Sequence, residues 1–338
     1  FCVSADPSAL HAALTSILDA HGVPATLAET HPHLFAAVPV YVSRQHLVQV
    51  EAAVTAIEAV TGLPAWREAV LAWAPTVALH DPGSPGGMLG LDFHLTPEGP
   101  RLIEINTNPG GALLNTLVGQ AQDVCMPDVV VPPVDADQAE RQVMEVFRNE
   151  WRLQRGDRPL LTVAIVDESP EAQYLYPEFL LFKQLFARHG LRALICAPGD
   201  LVHRDGRVLM GDVAIDMVYN RLTDFALEQP GHSHLREAYL AGDVVLTPHP
   251  RAHALYADKR NLALLGNRAF LREAGIDEPS IAVLEAVVPT TQLVTPENRE
   301  ALWEQRRRLF FKPAAGYGSK ASYRGDKLTR RVWDEIAT

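Results

Sequence analysis

Apolar residues recur every three or four positions from Ser8 to His21 (SALHAALTSILDAH), the spacing of an amphipathic helix, and Gly22 with Pro24 ends it. The same spacing runs from Arg44 to Thr61 and stops at Gly62 and Pro64. Glycine and proline then crowd His80 to Gly87 (HDPGSPGG), which predicts a loop. Two short apolar runs follow, Met88 to Leu95 and Arg101 to Ile105, separated by Thr96-Pro97-Glu98-Gly99-Pro100. They predict a β-hairpin that turns at Pro97 to Gly99. The loop Asn106 to Gly111 closes this unit.

Residues 126–138 (MPDVVVPPVDADQ) read as a connector, and Gln138 to Gln154 as a helix. At Leu160 the pattern changes to a β-branched run, LLTVAIVD, that ends in Asp167. A helix from about Glu171 to His189 and a strand at LRALICA come next, and this alternation predicts a βαβ unit with a parallel sheet. Further strands are expected at Val208-Leu209, Ile215 to Asn220 and Val244 to Thr247, then a helix from Asp258 to Ala274. Near the end come a strand LFFKP (309–313), a glycine loop AAGYGSK and a helix from Leu328. The expected class is α/β with α+β elements. The expected divisions are 1–157, 158–250 and 251–338.

Composition narrows the function. The 338 residues are 47% hydrophobic and 21% charged, which fits a globular chain of about two domains. A formal charge of -11 argues against a nucleic-acid binder and requires any anionic ligand to find a local positive pocket. No run of 18 apolar residues spans a membrane, and the N-terminus shows no leader pattern, so a cytoplasmic protein is expected. Cys2, Cys125 and Cys196 are too scattered for a disulfide framework or a cysteine zinc site. The basic residues include only five lysines, Lys183, Lys259, Lys312, Lys320 and Lys327, four of them in the last 80 positions. Nothing in the pattern specifies an oligomeric state; a homodimer stays open.

Four segments carry candidate chemistry. In LDFHLTPEGPRLIEINTNPGG (91–111), Asp92 and Glu104 on adjacent strands share a face, and side-chain alternation gives Asn106 the direction of Glu104. Two carboxylates and an amide oxygen make a hard donor set of the kind Mg²⁺ accepts alongside phosphates; a hairpin with solvated surface acids is the alternative. In LFFKPAAGYGSKASYRG (309–325), a strand delivers Lys312 to a loop whose Gly316 and Gly318 permit close backbone approach to phosphate. The loop matches neither GxxxxGK[ST] nor GxGxxG, and an ordinary hairpin turn stays open. Asp258 suits a helix N-cap, which sets Lys259 in a first turn where a bound phosphate would offset the unfavourable dipole; a solvated lysine is the alternative. Arg221, in VYNRLTD at the end of an expected parallel strand, suits a substrate carboxylate or a salt bridge to Asp224. The pairs His31/His33, His232/His234 and His249/His253 lack a Cys or acidic partner at zinc-ligand spacing. Neither GSPGG nor GYGSK is a serine nucleophile elbow.

Taken together, EINTNPGG, the Lys259 segment and KPAAGYGSK resemble the ATP-grasp superfamily. The family's usual order puts the lysines and glycine loop first and the Asp…Glu-x-Asn motif last. The reversed order here is a circular permutation that resembles eukaryotic-type glutathione synthetases and glutathionylspermidine synthetase-like proteins, over roughly residues 88–325. The resemblance implies an ATP-grasp-like fold with an inserted parallel-sheet substrate domain, and a Mg²⁺- and ATP-dependent carboxylate–amine ligase acting on small molecules. It implies Asp92, Glu104 and Asn106 as metal ligands, and Lys259, Lys312, Pro313, Gly316, Tyr317, Gly318, Ser319, Lys320 and Tyr323 around the nucleotide. Asn108, Gly110, Gly111, Arg221 and Asp224 would face the substrates, with Arg221 and Lys312 in catalysis. The alternative is a non-catalytic relative that serves as a binding or scaffolding protein. Three departures stand out: Gly90 where glutathione synthetases carry arginine, Gly316 where they carry an acidic metal ligand, and adenine-hinge strands expected beyond Thr338, so that the expectation is either a C-terminally incomplete sequence or a protein that lost part of its nucleotide site.

Overall fold

The computed structural model describes residues 6–24, 31, 34–35, 40–125, 135–314 and 322–337. The acidic hairpin forms as β1 (Gly90–Thr96) and β2 (Gly99–Asn106), turning at Pro97 and Glu98. The β-branched run becomes β3 (Thr162–Val166), and LRALICA becomes β4 (Arg192–Cys196), paired in parallel. Between them the helix Tyr176–Arg188 makes the crossover. It begins later than the sequence pattern suggests, because Ser169 at φ 42 and the short turn Pro170–Ala172 intervene.

Where the sequence suggests an isolated strand at 208–209, the chain builds an antiparallel three-stranded sheet of β5 (Leu201–Arg204), β6 (Arg207–Met210) and β7 (Val213–Ile215). β8 (Met217–Asn220) and β9 (Val245–Thr247) complete the parallel sheet in the order β4-β3-β8-β9. Every residue of β3 and β8 is buried, as expected of a parallel sheet covered on both faces. Val163, Ile165, Met217 and Tyr219 face a cluster with Phe147, Phe179, Phe182 and Phe186. Ala164, Val166 and Val218 face the other way, toward Leu227, Leu235 and Tyr239. The last hairpin is β10 (Phe310–Phe311) with β11 (Tyr323–Arg324).

The chain divides into two units, each gathered from separated stretches. The first comprises residues 1–41, 75–90 and 107–252, and holds the parallel sheet; the second comprises 42–74, 91–106 and 253–338. Residues 1–157 are therefore shared between the two units. In the second unit the helix Arg44–Thr61 packs on β2 and on the helix Glu278–Val287, burying Ile57, Val60, Leu102, Ile281 and Leu284. Trp66 is buried with its indole N–H donating to the Leu255 carbonyl at 3.1 Å. Among the described residues no single helix is long and apolar enough to cross a membrane.

Candidate functional site

Three segments far apart in sequence meet in the second unit. The hairpin supplies Glu104 from β2, and its Oε2 lies 3.5 Å from Lys259 Nζ and 3.5 Å from Lys312 Nζ. Lys312 follows β10 directly and also donates to the Ile103 carbonyl at 3.3 Å. The Lys259 backbone N–H donates to the Ala314 carbonyl at 3.0 Å, which fixes the two lysine segments side by side. The three side chains are between 14% and 24% exposed, so the charges interact in a partly desolvated setting while an opening to solvent persists.

Lys259 does not stand in a helical first turn as the sequence suggests. It occupies a turn before the short helix Asn261–Leu265, and Gly266 separates that helix from Arg268–Glu273. Asp258 caps the turn itself, accepting from the Arg260 N–H at 2.9 Å and pairing with the Arg260 guanidinium.

Across the hairpin the Asn106 amide donates to Asp92 Oδ2 at 3.3 Å, and Glu104, two residues before Asn106, projects to the same side of the strand. Asp92 reaches solvent, yet its carboxyl is raised, by partial burial first and by the charge of Glu104 second; Asn106 and Lys312 pull it the other way. A carboxyl raised by a like neighbour marks a pair that a cation would relieve. Among the described residues no group of three or more His, Cys, Asp and Glu side chains is arranged to hold a metal. The acidic donors here are two. That fits a magnesium ion that keeps waters and phosphate oxygens and does not fit an all-protein cage.

Pro313 continues from Lys312, and Gly316, Tyr317, Gly318, Ser319 and Lys320 lie outside the described residues. Tyr323 pairs across from Phe311 and so shares its face of the hairpin; the Phe311 ring packs on buried Trp333 at 4.8 Å.

The remaining candidates lie in the first unit, at the carboxyl ends of β3 and β8. The strand order reverses between these two strands, and open α/β sheets place ligand crevices at such a point. Arg221 is buried there; its Nη1 donates to the Pro109 carbonyl at 3.0 Å and to the Tyr219 hydroxyl at 3.2 Å. It forms no salt bridge with Asp224. That carboxylate instead accepts from His232 Nδ1 at 2.7 Å and from the Gln229 N–H at 2.8 Å. The other His232 nitrogen contacts Glu168 Oε1 at 2.6 Å, so a fully buried ring ties the loop after β8 to the loop after β3. Asn108 donates to the Leu222 carbonyl at 3.3 Å. A side chain at Gly110 would run into Leu175, and one at Gly90 would press on Pro109, which accounts for glycine at position 90.

The amides of Gly111, Ala112 and Leu113 are occupied within the protein. The buried Glu178 carboxylate accepts from Gly111, Ala112 and Leu113, capping the helix Ala112–Cys125. The sequence pattern does not single out Glu178 or Glu168, and it marks His232 only as half of a histidine pair and Asp167 only as the end of a strand. The partners of Glu178, Glu168 and His232 lie 8 to 67 residues away, and no local spacing reveals them.

Asp167 is 9% exposed, and burial lifts its carboxyl from 3.8 to about 6, against the opposing pull of the Glu168 N–H and Arg221. The fold thus favours the protonated form. The native state binds more protons than the unfolded chain between about pH 4 and 6, and stability falls as pH rises through that window. Asp167→Asn is expected to gain about 1–2 kcal/mol at pH 7, less than the full shift because Arg221 loses a partner. Urea unfolding at pH 7 and pH 4 checks this: the gain should vanish at pH 4, and a loss at pH 7 would contradict it.

No family model matches the chain, and no curated protein matches it. A solved structure of a glutathione synthetase-like effector from Globodera pallida is similar, at a TM-score of 0.54 and 13% identity, covering 85% of this chain and 72% of that one. At this identity the likeness concerns the fold: a mixed α/β chain with a glutathione synthetase-like neighbour.

Proposed function

We propose that the chain is an ATP-grasp relative in circularly permuted order, and that its second unit binds Mg–ATP to drive carboxylate–amine ligation. The observation that carries this reading is one carboxylate, Glu104, flanked by Lys259 and Lys312 from two remote segments. Two ammonium groups beside an acidic pair suit a triphosphate with its cation. Lys259 and Lys312 would hold phosphate oxygens. Asp92, Glu104 and the Asn106 amide would hold magnesium, which neutralises charge on the phosphates when bound.

In the reaction a substrate carboxylate oxygen takes the γ-phosphoryl group and ADP leaves. An amine then attacks the acyl carbon, and inorganic phosphate departs with the proton lost from nitrogen. The contribution of the lysines is positional and electrostatic. No general base is assigned.

Incubating the full chain with ATP, Mg²⁺, amino acids and amines tests the reading. ADP should appear together with a product lighter than the summed substrates by one water, detected by mass spectrometry. Absence of both nucleotide binding and ADP formation would overturn it. One observation favours the non-catalytic alternative: Arg221 is buried and already hydrogen-bonded, which leaves it poorly placed to grip a free carboxylate. Nucleotide binding without ADP formation is the result that reading expects.

A further inference from the structure

A single oxygen, Glu104 Oε2, holds both phosphate-directed lysines at 3.5 Å. To an ammonium group, a carboxylate oxygen and a phosphate oxygen are alike: negative and acceptor-only. Asp92 stands on the neighbouring strand, tied by the Asn106 amide at 3.3 Å to the side of the hairpin that Glu104 faces, so the two carboxylates share one face. Building on the nucleotide-site reading above, we propose that Glu104 is a displaceable stand-in for phosphate, which couples nucleotide entry to cation binding.

The coupling follows from charge alone. Nucleotide alone must strip Glu104 of two ammonium partners and then leave it beside Asp92 and the incoming phosphates, uncompensated. A divalent cation alone must share Glu104 with two lysines, which repel it. When both bind, the lysines move to phosphate and the freed carboxylates meet the cation, so each ligand removes the obstacle to the other. Coupling of this kind is reciprocal.

Calorimetric titration of the full chain with a non-hydrolysable ATP analogue, in EDTA and in excess Mn²⁺, tests this alongside Mn²⁺ alone followed by electron paramagnetic resonance. The wild type should bind the analogue at least roughly thirtyfold more tightly with Mn²⁺ than without, within the usual range of coupling. It should bind Mn²⁺ alone only weakly. Glu104→Gln should bind the metal-free analogue about tenfold more tightly than wild type and lose most of the Mn²⁺ enhancement. Asp92→Asn, at a carboxylate that no lysine among the described residues holds in a salt bridge, should lose the enhancement without that gain.

Equal tightening by Glu104→Gln and Asp92→Asn would reduce the effect to general charge removal and overturn the stand-in role. Tight Mn²⁺ binding without nucleotide, or analogue binding indifferent to Mn²⁺, would also overturn it while leaving a nucleotide site in place. Failure of the wild type to bind the analogue under either condition would overturn the nucleotide-site reading as well. The Mn²⁺ measurement on wild type decides the matter even if a variant fails to fold.

Discussion

If the proposed nucleotide site is right, Lys312→Ala is expected to weaken ATP binding by roughly ten- to a hundredfold and to remove nearly all of the proposed ligase turnover. A charge-assisted hydrogen bond contributes about 1.5–3 kcal/mol, and each 1.4 kcal/mol is a factor of ten. The side chain is 23% exposed, so its field on a bound phosphate is only partly screened. Folding should survive, because the bonds lost are those to Glu104 and the Ile103 carbonyl at the rim of the hairpin. Lys312→Arg should restore little: the planar, broader guanidinium cannot place a compact point charge where the Lys312 ammonium sits. Isothermal calorimetry, with circular dichroism as the folding control, measures both effects. Wild-type affinity in Lys312→Ala would remove this lysine from the site.

The second large effect concerns stability. Glu178→Ala is expected to cost about 3 kcal/mol, since it orphans the N–H groups of Gly111, Ala112 and Leu113 at the start of a helix. Burial holds this carboxyl above its ordinary value despite the amides, so the ionised form is not what the fold favours most. Glu178→Gln keeps one acceptor oxygen and buries no charge but turns an amide –NH2 toward one of the N–H groups, so it should cost about half as much, roughly 1–2 kcal/mol. Urea denaturation of both variants separates the cases. Equal costs would mean that the charge, and not hydrogen-bond acceptance, holds the helix end.

Where the sequence announces structure, it does so through turn residues and uninterrupted apolar runs. Pro97 to Gly99 marks the acidic hairpin, and the run ending in Asp167 marks a strand buried on both faces. Proline misleads in one direction. Pro64, read as the stop of one helix, opens the next at Pro64–Leu71, and Pro279 stands at the start of Glu278–Val287, because the missing N–H costs nothing in a first turn. The expected 258–274 helix breaks because Asp258 binds Arg260 and closes a turn before the helix begins.

For the site, the sequence shows which residue types are unusual but not whom they meet. Few lysines in an arginine-rich chain draw attention to Lys259 and Lys312. Their common contact with Glu104 spans more than 150 residues and follows from hairpin packing, which no spacing encodes. Glu178 is hidden for a different reason: within YPEFLLFKQ it reads as the polar face of a helix, yet it is 3% exposed because it caps another helix. His232 likewise looks like half of a histidine pair until Asp224 and Glu168 close on its two nitrogens.

The most direct measurement is a crystal structure of the chain grown with Mn²⁺ and a non-hydrolysable ATP analogue, read by the anomalous signal of manganese. The expected result is a peak bound by Asp92 and Glu104, with phosphate oxygens against Lys259 and Lys312. Nucleotide bound elsewhere, or Lys259 and Lys312 still paired to Glu104 under saturating ligand, would contradict it.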